Sequence, residues 1–178
     1  MRTIQIEYNL FQVQELSQKA QRIAHQNWLI NKEYFHSEEN RKTLLEFEKL
    51  FDISVRDWFY DSCDYNYRFE TNLSEDIDEL KGLRLATYIT NNYWCKLDTD
   101  TDCALTGYCA DYSILKPIYD FLETPNQKIT YLKLIDTCLD AFFRFCKDDV
   151  VYSDSEEYFN ENSIANDLEY LESGELFN

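Results

Sequence analysis

The sequence predicts an α+β fold, with several helices packed on a small, mostly antiparallel sheet. Three observations carry this prediction. Apolar residues recur at three- and four-residue intervals through several long stretches, which is the helical period. Shorter stretches alternate or are dense in β-branched and aromatic residues, which suits strands. The 12 Phe, 14 Tyr and 3 Trp, within a chain that is 44% hydrophobic, supply enough apolar area for a real core.

The elements follow in order. RTIQIEY alternates, with Ile4, Ile6 and Tyr8 on one face, and reads as a half-buried strand. LSQKAQRIAHQNWLIN sets Leu16, Ala20, Ile23, Ala24 and Trp28 on one helical stripe. Ser37 is expected to cap a second helix running to Phe51, with Leu44, Phe47 and Phe51 inward. Glu38 and Glu39 in its first turn suit the positive end of the helix dipole. SVRDWFYD and NYRFETN, separated by polar turn-formers, read as a hairpin or as two neighbouring strands.

Ser74 is expected to open a helix with Glu75 and Asp76 in its first turn. Ile77, Leu80, Leu85, Tyr88 and Ile89 face inward along it, and Gly82 weakens its middle. Asp98–Asp102 is a loop. Ile114, Ile118, Phe121 and Leu122 mark a helix bent at Pro117 and ended by Pro125. The clearest helix is ITYLKLIDTCLDAFFRFCK, with Leu132, Ile135, Leu139, Phe142, Phe143 and Cys146 in register. A short helix from Ser155 to Asn162 and a hairpin turning at Ser173 and Gly174 complete the prediction.

At 178 residues the chain is expected to form one domain, 1–178. Its composition changes at Asp148. Lys147 is the last basic residue, and ten carboxylates follow it. Tyr158, Phe159, Ile164, Leu168, Tyr170, Leu171 and Leu176 interrupt those acids, so segment 148–178 is expected to pack on the domain rather than trail from it. The whole chain carries 34 acidic and 17 basic residues, a formal charge of −17. Such a charge argues against direct binding to DNA, RNA or anionic lipid, because those contacts rest on Lys and Arg. MRTIQIEYNL lacks the apolar run of a signal peptide, and no stretch has the length of a membrane span. Together with six Cys that form no C-x-x-C pair, this points to a cytoplasmic protein with free, mostly buried thiols.

Chemical motifs are sparse. Cys95, Cys103 and Cys109 lack zinc-knuckle spacing, and Cys138 and Cys146 lie on a core stripe. Asp98, Asp100 and Asp102 match the first three ligands of a calcium loop. However, Cys103 stands where the turn glycine belongs and Cys109 where the bidentate glutamate belongs. A solvated acidic loop is expected there, with a low-affinity cation site as the alternative. His25 and His36 are the only histidines, and His25, beside the first apolar stripe, reads as structural. There is no glycine-rich phosphate loop. No catalytic residue, metal or cofactor is expected.

Binding remains. Carboxylates three or four residues apart on a helix lie about 5–6 Å from one another, while phosphates of one DNA strand advance about 3.4 Å each. A fixed array of acids therefore resembles a nucleic-acid backbone and suits a groove lined with Lys and Arg. One candidate set is Glu75, Asp76, Asp78 and Glu79. A second is Asp148, Asp149, Asp154, Glu156, Glu157 and Glu161, continued by Asp167, Glu169, Glu172 and Glu175. Tyr158 and Tyr170 are the aromatic candidates at the rim of that surface.

Three stretches together resemble a known family: MRTIQIEYNLFQVQELSQKAQRIAHQNW, CALTGYCADYSILKPIYDFL and EEYFNENSIANDLEYLESGELF. The shared pattern is an N-terminal strand, ELSxxAxxxA on a helix, a TGYCxD segment, and an acidic ending with AN and a glycine turn. It resembles small phage and prophage proteins often labelled "antitoxin of toxin–antitoxin stability system", across about half of the chain. The resemblance implies a mobile-element origin and the cytoplasm of a bacterial host, and it carries over no active-site residue. Small acidic phage proteins often block host nucleic-acid-binding machinery such as CRISPR effectors and restriction enzymes, an argument by class. The resulting expectation is a non-enzymatic, anti-CRISPR-type inhibitor that mimics nucleic acid in a basic groove of a host defence protein. The alternatives are an antitoxin that neutralises a cognate toxin by direct contact, and a small enzyme or metal-binding protein using the Cys95–Cys109 region.

Overall fold

Where the apolar period is near 3.6 the chain is helical, and where it alternates it is extended. A computed structural model describes residues 7–32, 34, 36–98 and 103–177. After a short 3₁₀ turn, Val13–Glu15, come α1 (Gln18–Asn31), α2 (Ser37–Phe51), β1 (Ile53–Tyr60), β2 (Tyr65–Thr71), α3 (Glu75–Asp78) and α4 (Gly82–Leu97). Then follow α5 (Ala110–Glu123), α6 (Tyr131–Ser153) and α7 (Glu156–Ala165). The fold is α+β, as expected, with a two-stranded antiparallel sheet. Among the described residues no helix is long and apolar enough to cross a membrane.

The chain gathers into two compact units. A terminal unit joins Met1–Tyr34 to Val151–Asn178, and a central unit spans Phe35–Val150. The change of composition at Asp148 falls inside α6, which runs on to Ser153. The helix continues across the change of sign, with Asp148 exposed and Asp149 half-buried on it.

In the central unit α2, α4, α5 and α6 bury one continuous cluster that includes Leu44, Phe47, Phe51, Leu85, Ile89, Ile114, Ile118, Ile135, Leu139, Phe142 and Phe143. The hairpin register pairs Ile53 with Thr71, Val55 with Phe69 and Tyr60 with Tyr65, and a bulge lies between Arg56 and Phe59. Asp57 takes a φ of 52° within that bulge. The Asp61 carboxylate closes the turn by accepting from the Cys63 and Asp64 amides at 2.7 and 2.9 Å. Those bonds hold its carboxyl below the usual carboxylate range. Tyr65 and Tyr67 fix the sheet to α6. Their hydroxyls donate to the Asp140 and Asp136 carboxylates at 2.8 and 2.9 Å, and the Tyr67 ring lies parallel to Phe143 at 5.0 Å.

Several local expectations change. Ser37 is the first residue of α2 rather than its cap, and His36 holds the cap position without a side-chain capping hydrogen bond. The helix expected from Ser74 onward is two helices. The four-residue α3 ends at Asp78, and Gly82 opens α4 with a φ of 56° instead of weakening its middle. Leu132 is only half-buried, whereas Ile135, Leu139, Phe142, Phe143 and Cys146 are buried as expected. Cys63, Cys95 and Cys109 are exposed, so the thiols are not mostly buried. Cys138 and Cys146 are buried, and burial pushes both thiols up. Most of the expected N-terminal strand, and Asp100 and Asp102 of the acidic loop, lie outside the described residues.

Candidate interaction surface

The terminal unit is built from the two ends of the chain. Val13, Leu16, Ala20, Ala24, Phe159 and Tyr170 form its buried cluster, with Phe11, Trp28 and Leu168 packed on it. Small residues at positions 20 and 24 let α7 and the chain end approach α1 closely. Gly174 shows how closely, since a Cβ there would stand 2.2 Å from the Ala20 carbonyl oxygen. A φ of 90° at the same residue makes glycine the only easy occupant of this turn. The expected final hairpin is thus a turn with single bridges, Tyr170 to Leu176 and Tyr170 to Phe11. Phe11 and Tyr170 exchange amide–carbonyl bonds of 2.9 and 2.8 Å.

Serine caps set both helices. Ser17 accepts from the Ala20 amide at 3.3 Å and Ser155 from the Tyr158 amide at 3.1 Å. The loop between α6 and α7 is tied back to α1. His25 Nε2 donates to the Asp154 carbonyl oxygen at 2.9 Å, since a carbonyl can only accept. The His25 ring lies 5.2 Å from that of Phe159. Lys32 forms an ion pair with Asp154, donates to Ser153 Oγ at 3.0 Å, and stands 4.8 Å from the Trp28 ring centre.

This frame sorts the candidate residues. Glu156, Glu157 and Glu161 on α7, and Asp167, Glu169, Glu172 and Glu175 after it, are all exposed. Glu161 accepts from the Tyr152 hydroxyl at 3.1 Å, and that bond raises the phenol. Asp154 is half-buried, and Lys32 already neutralises it. Tyr158 is half-buried between Tyr152 and Trp28, at ring distances of 5.4 and 6.0 Å. Tyr170 is 2% exposed, with its hydroxyl bonded to Ser163 Oγ at 2.8 Å. It is a core residue and not a rim aromatic.

The remaining acids belong to the central unit. Asp148 is exposed on α6 and Asp149 is half-buried. Glu75, Asp76 and Glu79 are exposed around α3, while Asp78 is half-buried and its Oδ1 has no hydrogen-bond partner among the described residues. Burial raises the Asp78 carboxyl above the usual range.

The TGYCxD segment has a definite task. Its aspartate, Asp111, is 0% exposed and accepts from the Leu105, Thr106 and Gly107 amides at 3.0, 2.6 and 2.9 Å. The Thr106 and Thr43 hydroxyls add bonds of 2.9 and 2.8 Å. A buried carboxylate surrounded by donors locks the loop ahead of α5 onto α2. The sequence signals the motif but not its purpose, because Thr43 is 68 positions away. Lys32 and His25 were likewise invisible as anchors, since their partners lie 121 to 129 positions along the chain. Comparison of the chain with protein-family models, with curated proteins and with solved structures finds no match.

Proposed function

We propose that the protein is a non-enzymatic binding protein whose terminal unit presents an acidic surface to a basic, nucleic-acid-binding groove of a host protein. One observation carries this reading: seven exposed carboxylates in residues 156–175, with no cation among them, on a backbone fixed by packing and caps. Fixed anions lose little entropy on docking, whereas those of a mobile tail would have to be ordered first. Their field attracts a cationic groove over roughly a Debye length.

The test uses the immobilised full-length chain as bait in a bacterial lysate at low salt, eluted by rising salt. The expected product is a basic nucleic-acid-binding protein that duplex DNA displaces. The triple change Glu157→Lys, Glu161→Lys and Glu172→Lys should weaken its binding by at least about tenfold. Each exposed site should cost no more than about 0.5 kcal/mol of stability. Undiminished binding by the triple variant removes this surface from the interaction.

A further inference from the structure

A cleft lies within the terminal unit between one face of α1 and the first turns of α7. Its volume is about 180 Å³, well below the ~300–1,000 Å³ of pockets for drug-sized ligands, so it suits a molecule of few heavy atoms. Arg22 and Glu156 both line it. Neither makes an ion pair or a side-chain hydrogen bond among the described residues, although the neighbouring Lys32 and Asp154 do pair. Opposite charges thus line one small cleft with no ion pair between them.

A simple anion would suit Arg22 but be repelled by Glu156, and a simple cation would meet the reverse. A molecule with a carboxylate at one end and an ammonium at the other satisfies both. The other polar lining groups agree. His25, whose Nε2 hydrogen is committed to the Asp154 carbonyl, lines the cleft as well. The Gln18 and Asn160 amides can donate and accept, and the buried Phe159 is the apolar part of the lining. A few convergent polar groups around a small apolar element are the usual make-up of a ligand site.

We propose that this cleft binds a free α-amino acid, with its carboxylate on Arg22 and its ammonium on Glu156. The site shares Glu156 with the proposed protein-binding surface but needs no partner to bind its ligand. The test titrates L-alanine and L-glutamine, separately, into the ¹⁵N-labelled full-length chain. Saturable shifts are expected at amides of residues 18–25 and 156–160. Acetate and ethylammonium, each carrying one of the two charges, should bind at least about tenfold more weakly. Arg22→Gln and Glu156→Gln, both at exposed positions, should each weaken binding by about tenfold or more while the rest of the spectrum stays in place. The triple variant at Glu157, Glu161 and Glu172 should bind both amino acids normally. The proposal is overturned if neither amino acid gives saturable shifts, if acetate binds as well as alanine, or if both single variants bind unchanged.

Discussion

The two units of this protein treat carboxylates in opposite ways. The central unit takes Asp111 out of water entirely and surrounds it with five donors, so the charge holds a loop in place. The terminal unit leaves the seven carboxylates of residues 156–175 in water, and pairs Asp154, just ahead of them, with Lys32. The apolar resources differ in parallel. The central cluster draws on four long helices and the hairpin, whereas the terminal cluster has six buried residues. A thin core that must carry uncompensated charge is the weaker body of the two, because self-repulsion opposes its compaction.

The largest effect expected is from core truncation. Phe143→Ala removes a ring with 0% exposure that contacts Tyr67, Trp58 and Phe142, and should cost about 3–5 kcal/mol, read as a large fall in thermal midpoint. Phe159→Ala removes the same side chain from the terminal cluster. It should abolish hydrogen-exchange protection in α1 and α7 while α4 to α6 stay protected. Equal loss in both regions would mean that the chain unfolds as one block.

Asp111→Ala should cost about 3 kcal/mol, since three amides and two hydroxyls lose a charged acceptor. Asp111→Asn retains an acceptor and should recover part of that loss in chemical denaturation. If alanine is tolerated, the TGYCxD loop is held by something other than its aspartate.

Glycine replacement ranks next. Gly174→Ala meets the backbone at Ala20 and an unfavourable φ, and should destabilise the terminal unit by about 1–3 kcal/mol. Gly82→Ala meets only the Gln127 side chain, which can swing aside, and should cost about 1 kcal/mol. The reverse order of midpoints would show that the tight approach to Ala20 yields easily.

The smallest effect has the opposite sign. Burial raises the Asp78 carboxyl, so the folded chain binds its proton more tightly than the unfolded chain does. Ionised Asp78 thus opposes folding at neutral pH, and this penalty fades as pH falls through the raised value. Asp78→Asn should gain up to about 0.5 kcal/mol at pH 7 and progressively less toward acid. A gain that does not vary with pH would point away from ionisation.

Much of the fold was legible because its signals are local. The β1–β2 hairpin, the α6 stripe from Ile135 to Cys146 and the short helix beginning at Ser155 each depend on residues a few positions apart. The errors were local conflicts settled at a distance. Ser74 opened only a four-residue helix, and Gly82 became the start of the next one where the backbone needs a positive φ beside Gln127. Tyr170, which the acidic run around it marked as a surface residue, was drawn into the core by Phe159 and Ser163.

By itself the sequence determined the α+β class, the size of the charge and its crowding after Lys147, since these follow from period and composition alone. Only the tertiary structure decided that the chain's two ends share one small core, that Lys32 cancels Asp154, and that Arg22 faces the same cleft as Glu156 without pairing. Those outcomes depend on side chains more than a hundred positions apart, and neither helical period nor composition specifies which distant partners packing will bring together.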